Sequence, residues 1–130
     1  MRDIKFRAFD KKLKKVLKVK EIDFDNRIVT LEISESAIKK IPFEDVELLQ
    51  YTGVKDKNGK EVYDGDVFIH TGQKFEVIWY STRFIGIDHK DYAITDGYCC
   101  YVDCQYKDGS SSIEVIGNVY DNPELSRKRI

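Results

Sequence analysis

The sequence predicts a small, mainly β protein with little helix. Three observations predict it. Residues 3–9 alternate charged and apolar side chains, the period of a half-buried strand. Turn-forming pairs recur at Asp25-Asn26, Asn58-Gly59 and Asp64-Gly65. Beyond them, Gly72, Gly86, Gly97 and Gly109 divide the chain into short apolar runs, the spacing of a small barrel or roll.

In chain order, the first strand turns Ile4, Phe6 and Ala8 inward. Asp10-Lys11-Lys12 reads as a turn. Val16 to Phe24 alternates less cleanly, and Asp25-Asn26 closes a hairpin onto Ile28 to Ile33. That β-branched run places Val29, Leu31 and Ile33 on one face. Residues 34–41 read as a loop or a short helical turn. Pro42 and Glu44-Asp45 lead into Val46, Leu48 and Leu49, a short strand or turn. Asn58-Gly59 is the preferred pair of a type I′ turn, whose two central residues both need positive φ. Strands are then expected at 66–70, 74–80, 83–88, 92–95, 98–105 and 113–120. Asn122-Pro123-Glu124-Leu125 forms one helical turn, with Asn122 as N-cap and Pro123 in the first position. Residues 126–130 form a frayed tail. A glycine-rich connector begins near Gln50. It suggests an N-terminal β subdomain over 1–50 packed closely against a roll over 51–130.

Composition narrows the class. No run approaches the 18 apolar residues of a membrane span, and the charged N-terminus lacks the apolar core of a secretory signal. The expected location is a cytosol. Cys99, Cys100 and Cys104 are odd in number and clustered, a poor disulfide framework that suits reduced thiols. The net charge of −1 exerts no global pull on nucleic acid, but the charge is unevenly spread. Residues 1–20 hold nine Lys/Arg against two Asp, and residues 21–47 hold three basic against eight acidic groups. Neighbouring strands of opposite charge account for this without a partner.

The chemical signatures fail on inspection. Gly53 and Gly59 resemble the glycine pair of a phosphate loop, but Lys60 is followed by Glu61, where Ser or Thr would bind the metal. The Asp-rich starts at Asp23 and Asp56 lack the glycine of a calcium loop. Adjacent Cys99 and Cys100 point to opposite faces of a strand, which disfavours zinc ligation with His70 or His89. Ser81, His89 and Asp91 lack a nucleophile elbow. Asp64 and Asp66 read as turn residues flanking Gly65. No catalytic, cofactor-binding or metal-binding residue is assigned, and no cofactor is expected.

Three blocks carry a family resemblance. The chain opens MRDIKFRAFD (1–10), centres on LQYTGVKDKNGKEVYDGDV (49–67) and closes EVIGNVYDNPEL (114–125). Together they resemble the YopX family of phage and prophage proteins, across essentially the whole chain. Phe9 stands where that family usually has Trp. The resemblance implies a β-rich fold, an SH3-like roll in the later part, a mobile-element origin and a place in the cytoplasm of a bacterial host. It brings no established activity, cofactor or catalytic residue.

Two surfaces stand out. Lys11, Lys12, Lys14, Lys15, Lys18 and Lys20 fall within ten residues. On a strand, Lys12, Lys14, Lys18 and Lys20 share one face, opposite Leu13, Leu17 and Val19. Such a row either protects an edge strand or contacts nucleic-acid phosphates without sequence preference. Tyr80, Phe84, Tyr98, Tyr101 and Tyr106 lie in the later half, with Tyr92 beside them. On a roll they either pack the rim or dock a partner. The expected function is a non-enzymatic protein-binding or assembly module of a mobile element, its partner an unknown host or phage protein. The alternatives are a nucleic-acid-binding protein using the lysine row and a small enzyme with an unrecognised site. Exposed β edges also raise the expectation of a homo-oligomer.

Overall fold

The computed structural model describes residues 3–70, 72–80, 83–88, 99–101 and 113–125. Short strands dominate, as the alternation and turn pairs predict. Strands β1 (Phe6–Asp10), β2 (Lys15–Asp23), β3 (Ile28–Ser34), β4 (Ala37–Pro42), β5 (Val46–Lys55) and β6 (Glu61–Tyr63) form an antiparallel sheet. Its order is β4-β3-β2-β1-β5-β6. Strands β7 (Asp66–His70), β8 (Gln73–Tyr80), β9 (Arg83–Asp88), β10 (Cys99–Tyr101) and β11 (Glu114–Asn118) form a second antiparallel sheet, ordered β10-β9-β8-β7-β11. The only helical turns among the described residues are short 3-10 segments at Phe43–Asp45 and Pro123–Leu125.

The hydrophobic pattern places two clusters. Ala8, Val29, Leu31, Ile41 and Val46 are buried on one face of the first sheet, with Leu17, Val19, Phe43 and Leu48 packed against them. Val62, Phe68, Phe75, Val77, Ile113 and Val115 form the second cluster. Val62 comes from the first sheet and the others come from the second sheet or its approach, so the two sheets share this core.

The turns follow their local chemistry. At β2–β3, the Asp23 carboxylate accepts the Asn26 backbone N–H at 3.0 Å, and Arg27 takes positive φ. At β5–β6, Gly59 has φ +82° while Asn58 is not left-handed, so the loop is not the type I′ turn that the pair suggested. Gly59 N–H donates to Asp56 O at 3.0 Å, the arrangement of a three-residue loop closed by a left-handed glycine. The reason is Asp56. Its carboxylate accepts the backbone N–H of Asn58 and Lys60 and, from β11, of Val115, each at 2.9 Å. That side chain selects the loop conformation and ties it to the second sheet.

Other expectations are revised. Residues 37–42 extend as β4, the outer strand beside β3, because Ile41 reaches the core and the ladder to β3 satisfies the backbone. Ile4 is 78% exposed rather than inward, since β1 begins only at Phe6. Ile33 is also exposed, at the register shift between Glu32 and Ser34 of β3. Strand β5 runs unbroken through Gln50, and Tyr51 and Lys55 pair with β6, so the first sheet extends to Tyr63. The expected strand at 92–95 and most of that at 98–105 lie outside the described residues.

Candidate functional site

The three sequence blocks meet in space. Arg7 on β1 reaches Asp66 at the start of β7, with Nη2 2.5 Å from Oδ1. The other oxygen of Asp66 accepts the Tyr63 backbone N–H at 2.8 Å. The Arg7 guanidinium lies over the Tyr63 ring, 4.1 Å from its centroid, a cation–π contact in a desolvated setting. Arg7 Nε is buried without a hydrogen-bond partner, flanked by that ring. Gly65 has φ +86°, and a Cβ there would stand 2.6 Å from the Tyr120 ring. Tyr120 in turn packs on Phe9, with ring centroids 5.1 Å apart. The role of Arg7 was not legible in the sequence, where Asp66 read only as a turn residue.

Burial governs the electrostatics of this junction. It pushes the Asp66 carboxyl up, and Arg7 with the Tyr63 N–H only partly offsets the cost. Asp64 is pushed up to about 6, first by burial and then by the nearby carboxylates of Glu47, Glu76 and Asp66. Tyr120 is pushed up to about 12 by burial and the same acidic surroundings.

A cleft of about 460 Å³ opens on the other side of Tyr63. Its origin is a divergence of strands. β1 pairs with β2 only from Arg7–Lys18 to Asp10–Lys15. Before Arg7 the chain stays with β5, where Tyr51 N–H donates to Lys5 O at 2.9 Å. Beyond Lys18, β2 stays with β3. The wedge between them is lined by Ile4, Lys5 and Phe6 on one wall and by residues 18–22 on the other, with Phe24, Glu61 and Tyr63 completing it. Its volume lies within the range of roughly 300–1,000 Å³ usual for ligand sites.

The rim is apolar and the walls carry amines. Ile4 is 78% and Phe24 73% exposed. Lys5 is ion-paired with Glu61, and Glu61 also accepts the Tyr63 hydroxyl at 3.1 Å. Those hydrogen bonds hold Glu61 below the usual carboxylate range and Lys5 above its ordinary value. Burial pushes Tyr63 up to about 12. Each of these groups is moved away from neutrality, the reverse of what general acid–base chemistry requires. Among the described residues no group of three His, Cys, Asp or Glu is arranged to hold a metal ion.

The structure divides the lysine row. Lys12 and Lys14 lie in the β1–β2 turn, with Lys14 at φ 56° and Lys12 Nζ 3.4 Å from Asp45. Lys18 and Lys20 lie on β2 and line the cleft. A single face of four lysines does not form, because the turn ends the strand period before Lys15. From Lys15 to Lys18 the row protects no edge, since β2 is paired there with β1; its β1 side is open only beyond Lys18. Phe6, Phe24 and Ile4 join Lys18 and Lys20 in the cleft, a grouping that strand alternation alone does not reveal. Of the aromatic candidates, Tyr80 is aligned with Arg83, Phe84 with Trp79 and Tyr101 with Ile85 in the ladders of the second sheet. Tyr98 and Tyr106 lie outside the described residues.

Comparison with known proteins agrees with this architecture. The family model described as YopX protein matches residues 5–126. The chain is similar to the crystal structure of protein EF1440 from Enterococcus faecalis, with 25% identity and a TM-score of 0.60 over 96% of this chain and 99% of that one. No curated protein matches it. No helix among the described residues is long and apolar enough to cross a membrane.

Proposed function

We propose that this chain, which belongs to the YopX family, is a non-enzymatic protein-binding module of a bacterial mobile element, working in the host cytoplasm. The observation that carries the reading is the cleft between β1 and β2, with two large apolar side chains exposed at its rim. Exposed apolar groups gathered at a concave site mark interaction surfaces more than scattered ones do. The paired, strongly held charges inside favour recognition over proton transfer. The five-stranded sheet is compatible with the SH3-like roll that the resemblance implies.

Nucleic acid is the competing ligand, and Lys18 and Lys20 in the cleft favour it. Glu21 on the same wall offsets one of them, and the overall charge of −1 adds no attraction for a polyanion. The test is capture from nuclease-treated and untreated bacterial extracts by the intact chain and by its Ile4→Ser/Phe24→Ser variant. A protein retained through nuclease and raised salt, and lost with the variant, is the expected result. Recovery of nucleic acid that charge reversal at Lys12, Lys14 and Lys18 eliminates would overturn the reading, because phosphate binding falls steeply with salt and with each lost cation.

A further inference from the structure

We infer that the cleft takes an extended, acidic and apolar segment of a partner protein as an added β-strand along β2. This rests on the protein-binding reading above and specifies the partner's chemistry and its mode of docking. Three features of the cleft support it.

The first is backbone. On its β3 side, β2 is laddered as far as Asp23. On its β1 side the ladder stops at Lys18, and no described strand lies beside residues 19–23. A strand bordered on one side by a sheet and on the other by a cleft presents main-chain groups that another extended chain can pair. The divergence of β1 toward β5 leaves this side of β2 bordering the cleft.

The second is charge. Glu61 is already neutralised by Lys5. Neither Lys18 nor Lys20 has an ion-pair partner among the described residues, and Glu21 is the one other carboxylate on the lining. The wall to be paired therefore carries an excess of positive charge. Cross-strand pairs of opposite charge stabilise a ladder and like charges oppose it. An acidic strand is admitted and a basic one is refused.

The third is the device against wrong partners. The ladder between β2 and β3 shifts register between Val19 and Glu21, a bulge centred on Lys20. Bulges and lysines on an open edge discourage indiscriminate pairing. Two copies of this chain meeting edge to edge along this stretch would bring Lys18 and Lys20 against lysines or force a slipped register. Specificity then comes from excluding a second copy as much as from attracting the acidic segment. The exposed Phe24 and Ile4 at the rim provide apolar contact for side chains that alternate with the acidic ones.

The test uses the full chain. A displayed library of random peptides of about twelve residues is panned on it, and enriched peptides are measured by fluorescence anisotropy and by amide chemical shifts. Enriched peptides are expected to alternate acidic and apolar residues and to protect amides within residues 19–23. Replacing their acids by lysine should weaken binding about tenfold or more, as should Lys20→Glu in the protein, and the charge swap made on both sides should restore it. N-methylation of alternate peptide bonds on the edge facing β2 should cost about tenfold, while methylation on the opposite edge should cost little. Peptides that bind at the cleft with no sensitivity to N-methylation would overturn strand addition and leave the protein-binding reading intact. Peptides enriched without acids would overturn the charge argument. Those amides of 19–23 that face away from β3, if already protected in the free chain, would show the edge to be occupied and overturn the inference. Binding of a labelled oligothymidine in place of any peptide would overturn both readings.

Discussion

Tyr63 stands between two regions built on opposite terms. On one side, the junction of Arg7, Asp66, Gly65 and Tyr120 is closed, with a buried ion pair and a glycine that leaves no room for a side chain. On the other, the cleft is open, with Ile4 and Phe24 exposed and with Lys18 and Lys20 in no ion pair among the described residues. The difference teaches where to look for function among the three sequence blocks. The best-specified residues hold the two sheets together. The less regular residues at the end of β2 leave a surface that no other described strand covers.

Substitutions sharpen that contrast. The largest effect is expected from Arg7→Leu, which leaves the Asp66 carboxylate buried without its cation. Breaking one partner of a buried pair costs about 3–5 kcal/mol. Urea denaturation should show the lower end of that range, because the Arg7 side chain keeps some access to water. The loss should shrink as pH falls. Asp66 has a raised folded pKa, so the native state binds its proton more readily than the unfolded chain does, and stability rises on acidification. A loss below 1 kcal/mol would break the view that the junction holds the sheets together.

Gly65→Ala is expected to cost about 2 kcal/mol, from positive φ in a residue with a Cβ and from displacement of the Tyr120 ring. Gly59→Ala is the matched control, with the same sign of φ and open space at the Cβ position. It should cost about 1 kcal/mol less in thermal or chemical unfolding. Equal losses at the two glycines would remove the steric part of the account.

Asp64 provides a pH test. Its folded pKa of about 6 lies above the ordinary carboxylate value, so its charged form weakens the fold at neutral pH. Stability should rise as pH is lowered from 7 toward 5, by about 1 kcal/mol once screening of this part-exposed group is allowed for. Asp64→Asn should remove that slope and raise stability at pH 7. Below about pH 4 the sign reverses. Asp10, Asp23 and Glu61 have lowered folded values, so the stability they contribute is lost as they protonate. An unchanged slope in Asp64→Asn would place the titrating group elsewhere.

The smallest effects belong to the cleft. Phe24→Ser and Lys20→Glu should change stability by no more than about 0.5 kcal/mol, the usual range for exposed positions. A destabilisation as large as that at the junction would mean that the cleft is part of the core and would end the contrast.

The sequence by itself determined the local pieces. Alternation over residues 3–9 pointed to the strand that forms at Phe6–Asp10, and the later strands at 66–70, 73–80 and 83–88 stand close to where the glycines and apolar runs placed them. These are short-range consequences of side-chain period and turn chemistry. The three blocks also pointed to the family that the match over residues 5–126 shows. Only the tertiary structure decided what those pieces meet. Arg7 and Asp66 are 59 positions apart, and no local pattern says that one neutralises the other. Asp56 read only as the failed start of a calcium loop, yet one of its oxygens holds the loop and the other reaches Val115 on the far sheet. Lys12, Lys14, Lys18 and Lys20 read as one row because sequence spacing assumes one continuous strand, and the turn at residues 11–14 separates them. The cleft has no sequence signature at all. It exists because β1 leaves β2 to follow β5, a choice between two hydrogen-bonding partners that is made by the packing of the whole sheet.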